Sequence, residues 1–328
     1  MKKVLIAALA AAATLSATVA QAQDAFTIQL KWVTQSQFAG YYVAKDKGFY
    51  EAAGLDVTIK PGGPDIAPPQ VIAGGGADVI VEWMPAALSA REKGLPLVNV
   101  AQPFKSSGMM LTCRRDSGIS STDDLAGKTL GVWFFGNEFP FLSWMQQLGL
   151  GTDGGDNGVT VLQQGFNVDP IFNGQADCVS TMTYNEYWQV IDGGLSAEEL
   201  IVFKYEDQGV ATLEDGLYVH EDNLSDPAFV DRLTRFIAAS MEGWKYAEEN
   251  VAEAAEIVLD NDDSGTATFE DQSRMMGEIA KLTAGSNGAL DPADYDRTVA
   301  TLLAGGDAVI SAAPEGAWTH AITDAALK

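Results

Sequence analysis

Apolar and polar residues alternate over 26–32, the period of a half-buried strand. A helical spacing follows over 38–53 and stops at Gly54. Residues 55–59 read as a second strand, and 68–73 as a helix that runs into Gly74, Gly75 and Gly76. A fully apolar strand over 78–81 completes the phrase. The same phrase is then repeated: a strand over 129–133, a helix over 139–148 stopped by Gly149, a strand over 159–162, a helix over 168–172 ended by Asn173 and Gly174, and a strand over 177–180. The spacing agrees between copies, since Leu30 to Val57 and Val132 to Val159 are both 27 residues. Gly-x-Ala-Asp precedes each third strand, ending in Asp78 and in Asp177.

Each copy is a βαβαβ unit, which predicts parallel strands with right-handed crossovers. The fold class is therefore α/β, with two lobes. A further strand is expected over 217–220, then helices over 227–250, 251–259, 270–282 and 292–303 that pack on the first lobe. The predicted division is 23–112 with 213–328 for lobe 1 and 113–212 for lobe 2. Two chain crossings, near Thr112 and Leu213, form a hinge.

The start of the chain has the pattern of an export signal. Lys2 and Lys3 precede an apolar run from Val4 to Val19, and Ala20-Gln21-Ala22 is a small-x-small cleavage pattern. Cleavage near Ala22 places the product in the periplasm. The run is short for a membrane span of roughly 20 residues. The net charge is −25, and loss of the two lysines makes it more negative. Such a surface repels nucleic acid and anionic lipid. Cys113 and Cys178 sit in apolar, strand-like segments. An exported chain can pair them, but a chain this long needs no staple, so two buried free thiols are expected. His220 and His320 are far apart, which leaves a His-based metal centre or triad short of ligands.

In open parallel sheets, ligands bind beyond the carboxyl ends of the strands. The residues there are Trp32, Gln35, Gln37 and Phe38, then Glu82, Trp83 and Met84, from lobe 1. Lobe 2 offers Trp133, Phe134, Asn137 and Glu138, then Thr183, Tyr184, Asn185, Glu186 and Tyr187. Tyr41 and Tyr42 are expected as one buried and one rim residue, with Tyr41 among the contacts. Trp32 and Trp133 hold matching places, which suggests indole rings stacked on either side of a flat guest. Glu82 and Glu186 can accept its N–H groups, and Asn137, Tyr184 and Asn185 can read its edge. No cluster of Arg or Lys is expected there, so a dianionic ligand is disfavoured and the guest is a small flat heteroaromatic molecule.

Two other patterns carry less. The Gly74–Gly76 run is a helix stop, because no Lys-Ser/Thr follows it as in a phosphate loop. Asp260, Asp262, Ser264, Gly265, Thr266, Thr268 and Asp271 fall on positions 1, 3, 5, 6, 7, 9 and 12 of an EF-hand loop. Asp replaces the bidentate Glu at the end, and Ala267 replaces the usual bulky apolar residue. An acidic interhelical turn with a cap explains the same letters, and no metal or cofactor is expected.

The run from Lys31-Trp32 through Gln37-Phe38-Ala39-Gly40-Tyr41-Tyr42 to Lys47-Gly48-Phe49-Tyr50 and Gly54-Leu55-Asp56-Val57 resembles bacterial solute-binding proteins related to thiamine pyrimidine synthase. Pro61-Gly62-Gly63, Gly131 to Glu138, Thr183 to Glu186 and Leu213 to Leu217 add to the likeness, which covers about 26–225. The resemblance implies a type II periplasmic-binding-protein fold, an ABC transporter permease as partner, and a monomer. It implies a thiamine-precursor pyrimidine as ligand, with riboflavin as the alternative. Related synthases carry a Lys after the third strand and a His four residues on, where this chain has Glu82 and Ala86. Their Cys-rich iron motif is also missing. Without the Lys no Schiff base forms there, so a binding protein is expected and not an enzyme.

Overall fold

The computed structural model describes residues 23–305 and 309–327. The expected leader, 1–22, lies outside the described residues. Strand β1 (Asp24–Gln29) buries Phe26 and Ile28. One helical turn, Ser36–Phe38, leads into α1 (Ala39–Asp46). The single helix expected over 38–53 is broken at Gly48, whose φ of 74° only glycine adopts cheaply, and resumes as α2 (Phe49–Ala52). Next come β2 (Leu55–Lys60), α3 (Pro68–Ala73), β3 (Val79–Glu82), α4 (Met84–Glu92) and β4 (Leu97–Ala101). The second lobe holds β5 (Met109–Arg114), β6 (Thr129–Val132), α5 (Phe139–Gln147), β7 (Thr160–Gln163), α6 (Asp169–Phe172), β8 (Cys178–Met182), α7 (Glu186–Asp192) and β9 (Leu200–Lys204). The chain returns with β10 (Gly216–His220), then α8 (Pro227–Glu249), α9 (Val251–Asp260), α10 (Phe269–Thr283), α11 (Pro292–Ala304) and α12 (Ala321–Ala326).

Two five-stranded sheets result, ordered β2-β1-β3-β10-β4 and β7-β6-β8-β5-β9. The repeated units form the parallel part of each, with β1 flanked by β2 and β3, and β6 by β7 and β8. The repeated Asp has the same task in both. Asp78 Oδ2 accepts from Thr27 N at 2.7 Å, and Asp177 Oδ2 accepts from Thr129 N at 2.8 Å. Each also donates its own backbone N–H to the carbonyl of that threonine, so the entry of the third strand is clasped to the first.

The sheets are mixed, not purely parallel. β10 runs antiparallel to β3 and β4, and β5 antiparallel to β8 and β9. These are the strands that follow each passage between sheets, made by residues 102–108 and 205–215. Thr112 lies inside β5. Helices α8 and α9 pack on α1. A Cβ on Gly243 would come within 2.1 Å of the Gly40 carbonyl, so glycine alone permits the approach of α8 to α1. The C-terminal helices are not confined to the first lobe. α11 also meets α5, where a Cβ on Gly305 would come 2.5 Å from Ser143 Oγ.

The cysteines are not free thiols. In the antiparallel pairing of β5 with β8, Cys113 stands directly opposite Cys178, and the two sulfurs are bonded. A purely parallel reading of the repeat does not make these strands neighbours. The acidic stretch 260–271 is an interhelical turn. Asp262 accepts from Ser264 N at 3.0 Å and from Ser264 Oγ at 2.8 Å, and Thr268 Oγ1 caps α10 by accepting from Asp271 N.

Replacing both cysteines by serine is expected to lower unfolding stability by about 2–4 kcal/mol, because the bridge closes a long loop in the unfolded chain. Equilibrium urea denaturation of wild type and double variant measures this. Thiol titration of the unreduced, denatured wild type should find no free sulfhydryl.

Candidate functional site

The carboxyl ends of β1, β2 and β3 in one lobe face those of β6, β7 and β8 in the other. Between them lies a cavity of about 1070 Å³. Each strand end delivers part of the lining: Lys31 and Trp32 after β1, Gly63 to Gln70 after β2, Glu82 and Trp83 around the end of β3, Trp133 to Phe139 after β6, Gln163 to Phe166 at β7, and Met182, Tyr184, Asn185 and Glu186 at β8. The cavity therefore gathers Trp32, Gln37, Glu82, Trp83, Trp133, Asn137, Glu138, Tyr184, Asn185 and Glu186 from the sequence-predicted set.

Phe38, Met84 and Thr183 do not line it, and neither does Tyr41. It is buried in the seam between α1 and α8, edge-on to Trp244 and stacked with Phe236, and does not line the cavity. Its position on a buried helix face overrides its closeness in sequence to Gln37. Tyr42 is buried as well, not a rim residue. Tyr187 turns toward Trp188 and away from the cavity.

The floor is polar and largely hydrogen-bonded. Lys31 Nζ lies 2.6 Å from Glu82 Oε1, which also accepts from Trp83 N at 2.9 Å, and the ammonium sits 5.2 Å from the Trp83 ring centroid. Gln35 Nε2 donates to Gln37 Oε1, and Gln37 Nε2 donates to Asp215 Oδ2, both at 2.6 Å. From the other lobe, Glu186 accepts from Met182 N at 3.0 Å and from Asn185 Nδ2 at 2.8 Å. Burial nevertheless pushes its carboxyl up to about 7. Glu138 accepts from Gly136 N at 2.7 Å, and burial raises its pKa too, against the pull of Lys31 and Lys93. Asn137 Nδ2 donates to Phe134 O at 2.8 Å, while its Oδ1 has no partner among the described residues.

The walls are aromatic, but not arranged as two facing indoles alone. Trp32 meets Phe166 of the opposite lobe, with ring centroids 5.0 Å apart and planes at 45°. Rings at that separation are in direct contact, so Phe166 takes a face of Trp32 expected for the guest. Trp133 Nε1 donates to Gly165 O at 3.1 Å and ties this loop to the β6 end. Phe135 is 84% exposed and has φ 64°, a strained value for a non-glycine residue. Beside it, a Cβ on Gly136 would come 2.8 Å from Ala86 Cβ of α4, so the lobes touch at this point. Across the cleft, Arg274 of α10 pairs with Asp192 of α7 at 2.7 Å and lies over the Trp188 ring.

Sequence reasoning missed Phe166, Lys31 and the 63–70 segment. The signal for Phe166 and 63–70 was the strand-end rule itself, which was applied to the first and third strands of each unit but not to the second. Lys31 adjoins Trp32 and reads in the sequence as an outward strand position.

Beneath the cavity, the two interlobe segments are held together by carboxylates. Glu214 Oε1 accepts from Ser107 Oγ and from Gly108 N, and Glu206 Oε1 accepts from Ser107 N at 2.6 Å. Glu214 Oε2 has no partner among the described residues. Burial, with Asp215 and Glu206 beside it, pushes Glu214 up to about 8, and burial pushes Asp215 up to about 6.

A family model described as NMT1/THI5 like matches residues 35–254. The chain is 27% identical over 261 residues to the formylaminopyrimidine-binding protein of Halalkalibacterium halodurans, covering 78% of this chain and 76% of that one. It is 26% identical over 240 residues to the riboflavin-binding protein RibY of Chloroflexus aurantiacus, covering 71% and 65%. Among solved structures, the periplasmic aliphatic sulphonate binding protein SsuA of Escherichia coli superposes with a TM-score of 0.64 at 15% identity, covering 85% of each chain. The fold is that of the type II periplasmic binding proteins.

The buried Glu214 makes stability depend on pH. Its folded-state value lies above the ordinary carboxylate value of 4.5, so the folded protein keeps a proton that the unfolded chain releases. Its contribution is fully present below about pH 4.5 and is lost as pH rises toward about 8. Glu214→Gln should therefore stabilise the protein at pH 9 by about 1 kcal/mol or more, with a smaller change at pH 5. Thermal unfolding of both proteins at the two pH values measures it. Equal changes at both would show that Glu214 does not hold that proton.

Proposed function

The chain belongs to the NMT1/THI5-like family, and we propose that it is the solute-binding protein of an ABC importer, capturing a thiamine-precursor pyrimidine between its lobes. The observation that carries this reading is the cavity at the paired strand ends, with aromatic walls and hydrogen-bonding groups concentrated at its floor. Trp32 and Trp133 supply ring faces, Glu82, Glu138 and Glu186 accept N–H groups, and Asn137, Tyr184 and Asn185 read the ring edge. The relative named for formylaminopyrimidine binding supports the ligand class. Export to the periplasm, delivery to a permease and action as a monomer complete the reading.

A synthase is disfavoured by the floor. The position matching the synthase lysine is Glu82, the last residue of β3, and the nearby amine of Lys31 is held against it. A carboxylate at that position cannot form the imine that a lysine would.

One observation favours a second ligand. The cavity of about 1070 Å³ lies just above the roughly 300–1,000 Å³ usual for small-molecule sites, and one pyrimidine ring leaves much of it empty. An isoalloxazine with its chain would fill more, as the riboflavin-binding relative suggests.

Mass spectrometry of what co-purifies, followed by calorimetry against aminopyrimidines and riboflavin, tests both. Binding of one class at micromolar affinity or better is expected. Trp32→Ala with Trp133→Ala should weaken it at least about tenfold. Unchanged affinity in that double variant would remove the aromatic walls from the binding site. Adding pyridoxal phosphate should produce no imine absorbance band.

A further inference from the structure

We infer that α10 is an interlobe latch with Arg274 as its fastening: seated on Asp192 and Trp188, Arg274 holds the two lobes together on one flank of the cleft. Among the described residues, this is the one ion pair that joins the lobes. Arg274 Nη1 lies 2.7 Å from Asp192 Oδ2, and its Cζ lies 5.0 Å from the Trp188 ring centroid. Glu270, one turn earlier on α10, is 3.4 Å from Nη2 and holds the other side of the guanidinium. A flat cation that meets a carboxylate at its edge and a ring at its face is a task for arginine, which lysine does not copy. The Arg274 side chain is only 23% exposed, because the indole covers what the solvated acid does not.

Both ends of this contact lead to turns that line the cavity. Trp188 Nε1 donates to Thr183 O at 3.0 Å, so the ring under Arg274 is fixed to the β8–α7 turn that carries Tyr184, Asn185 and Glu186. On lobe 1, the buried Gln272 of α10 accepts from Ser36 N at 2.6 Å, in the turn that carries Gln35 and Gln37. Gln272 and Arg274 are two residues apart, roughly 200° around the helix, so one grips lobe 1 while the other reaches lobe 2. At its far end α10 is tied to the first passage between the sheets, where Lys105 N donates to Leu282 O at 2.8 Å. The helix thus travels with lobe 1, and a rotation about the two passages that parts the lobes withdraws Arg274 from Asp192 and Trp188. A lone exposed ion pair holds little. A cation against a ring adds to it, and a latch has only to bias an equilibrium between states close in energy.

The latch is tested without a ligand, so the outcome does not depend on what the cleft holds. Ala73→Cys and Asn173→Cys put one spin label on each lobe, at exposed positions that do not line the cavity. The native cysteines are bonded to each other and take no label. The protein is freed of small molecules by unfolding in guanidinium, dialysis and refolding with the disulfide intact, and double electron–electron resonance then measures the distance between labels. Arg274→Met keeps the stem and removes the charge, and it should raise the longer-distance population at least about threefold over wild type. Asp192→Asn should raise it by a smaller factor of about two, since Trp188 remains. Added to Arg274→Met, Asp192→Asn should change nothing further. Circular dichroism and thermal unfolding check the fold of each variant. An unchanged distance distribution in Arg274→Met overturns the latch, and so do shifts that multiply independently in the double variant. Should Arg274→Met not fold, the half-exposed Asp192 still decides, because no shift in Asp192→Asn overturns the latch as well.

Discussion

A carboxylate taken out of water has to find donors, and this molecule buries four of them around one cleft: Glu82, Glu186, Glu214 and Asp215. Among the described residues a single ammonium, Lys31, hydrogen-bonds to any of them, and it is taken by Glu82. The others rely on neutral donors. Glu186 takes Met182 N and the Asn185 amide, Glu214 takes Gly108 N and the Ser107 hydroxyl, and Asp215 takes the Gln37 amide. Each bond pins a strand end or an interlobe segment. The floor of the cavity is thus ordered by the need to solvate acids, although most of it is loop. The raised pKa values of Glu186, Glu214 and Asp215 are what remains of a desolvation cost that neutral donors offset only in part.

That logic separates what could be read in the chain from what could not. The repeat was legible because its two copies carry the same chemistry at the same spacing. Asp78 and Asp177 clasp Thr27 and Thr129 in the same way, and Trp32 and Trp133 both reach the cavity. The antiparallel strands β5 and β10 were not legible as such, since strand direction after a passage between sheets depends on where the chain re-enters. The Cys113–Cys178 bridge follows from that direction and was lost with it. Tyr41 and Phe166 err in opposite senses. Tyr41 sits near the strand end but on the wrong face of α1, while Phe166 follows a strand whose alternation is weak and whose end was not considered.

The lobes meet on both flanks of the cleft. On one side, Gly136 approaches Ala86 so closely that a Cβ at position 136 would come 2.8 Å from the Ala86 Cβ. On the other, Arg274 of α10 reaches Asp192 and Trp188 of α7. An exposed pair of this kind contributes little by itself. Its place across the gap, however, makes it one of the contacts that opening breaks. Such contacts would bias any equilibrium between joined and parted lobes, to which a ligand could add only its differential affinity for the two states.

The same reasoning limits what the aromatic walls can select. A planar guest that stacks on the Phe166 side of Trp32 displaces a phenyl ring already in contact there. The exchange replaces one aromatic pair worth about 0.5–1.5 kcal/mol with another of similar size, so its net gain is small for any single ring. Trp133 is tied to the same loop through Gly165, so moving Phe166 also strains that hydrogen bond. Flatness is therefore a condition for entry more than a source of discrimination. At the floor, by contrast, the Lys31 ammonium has one hydrogen-bond partner and the Asn137 oxygen none among the described residues, and an unmet group there is costly because it is sheltered from water.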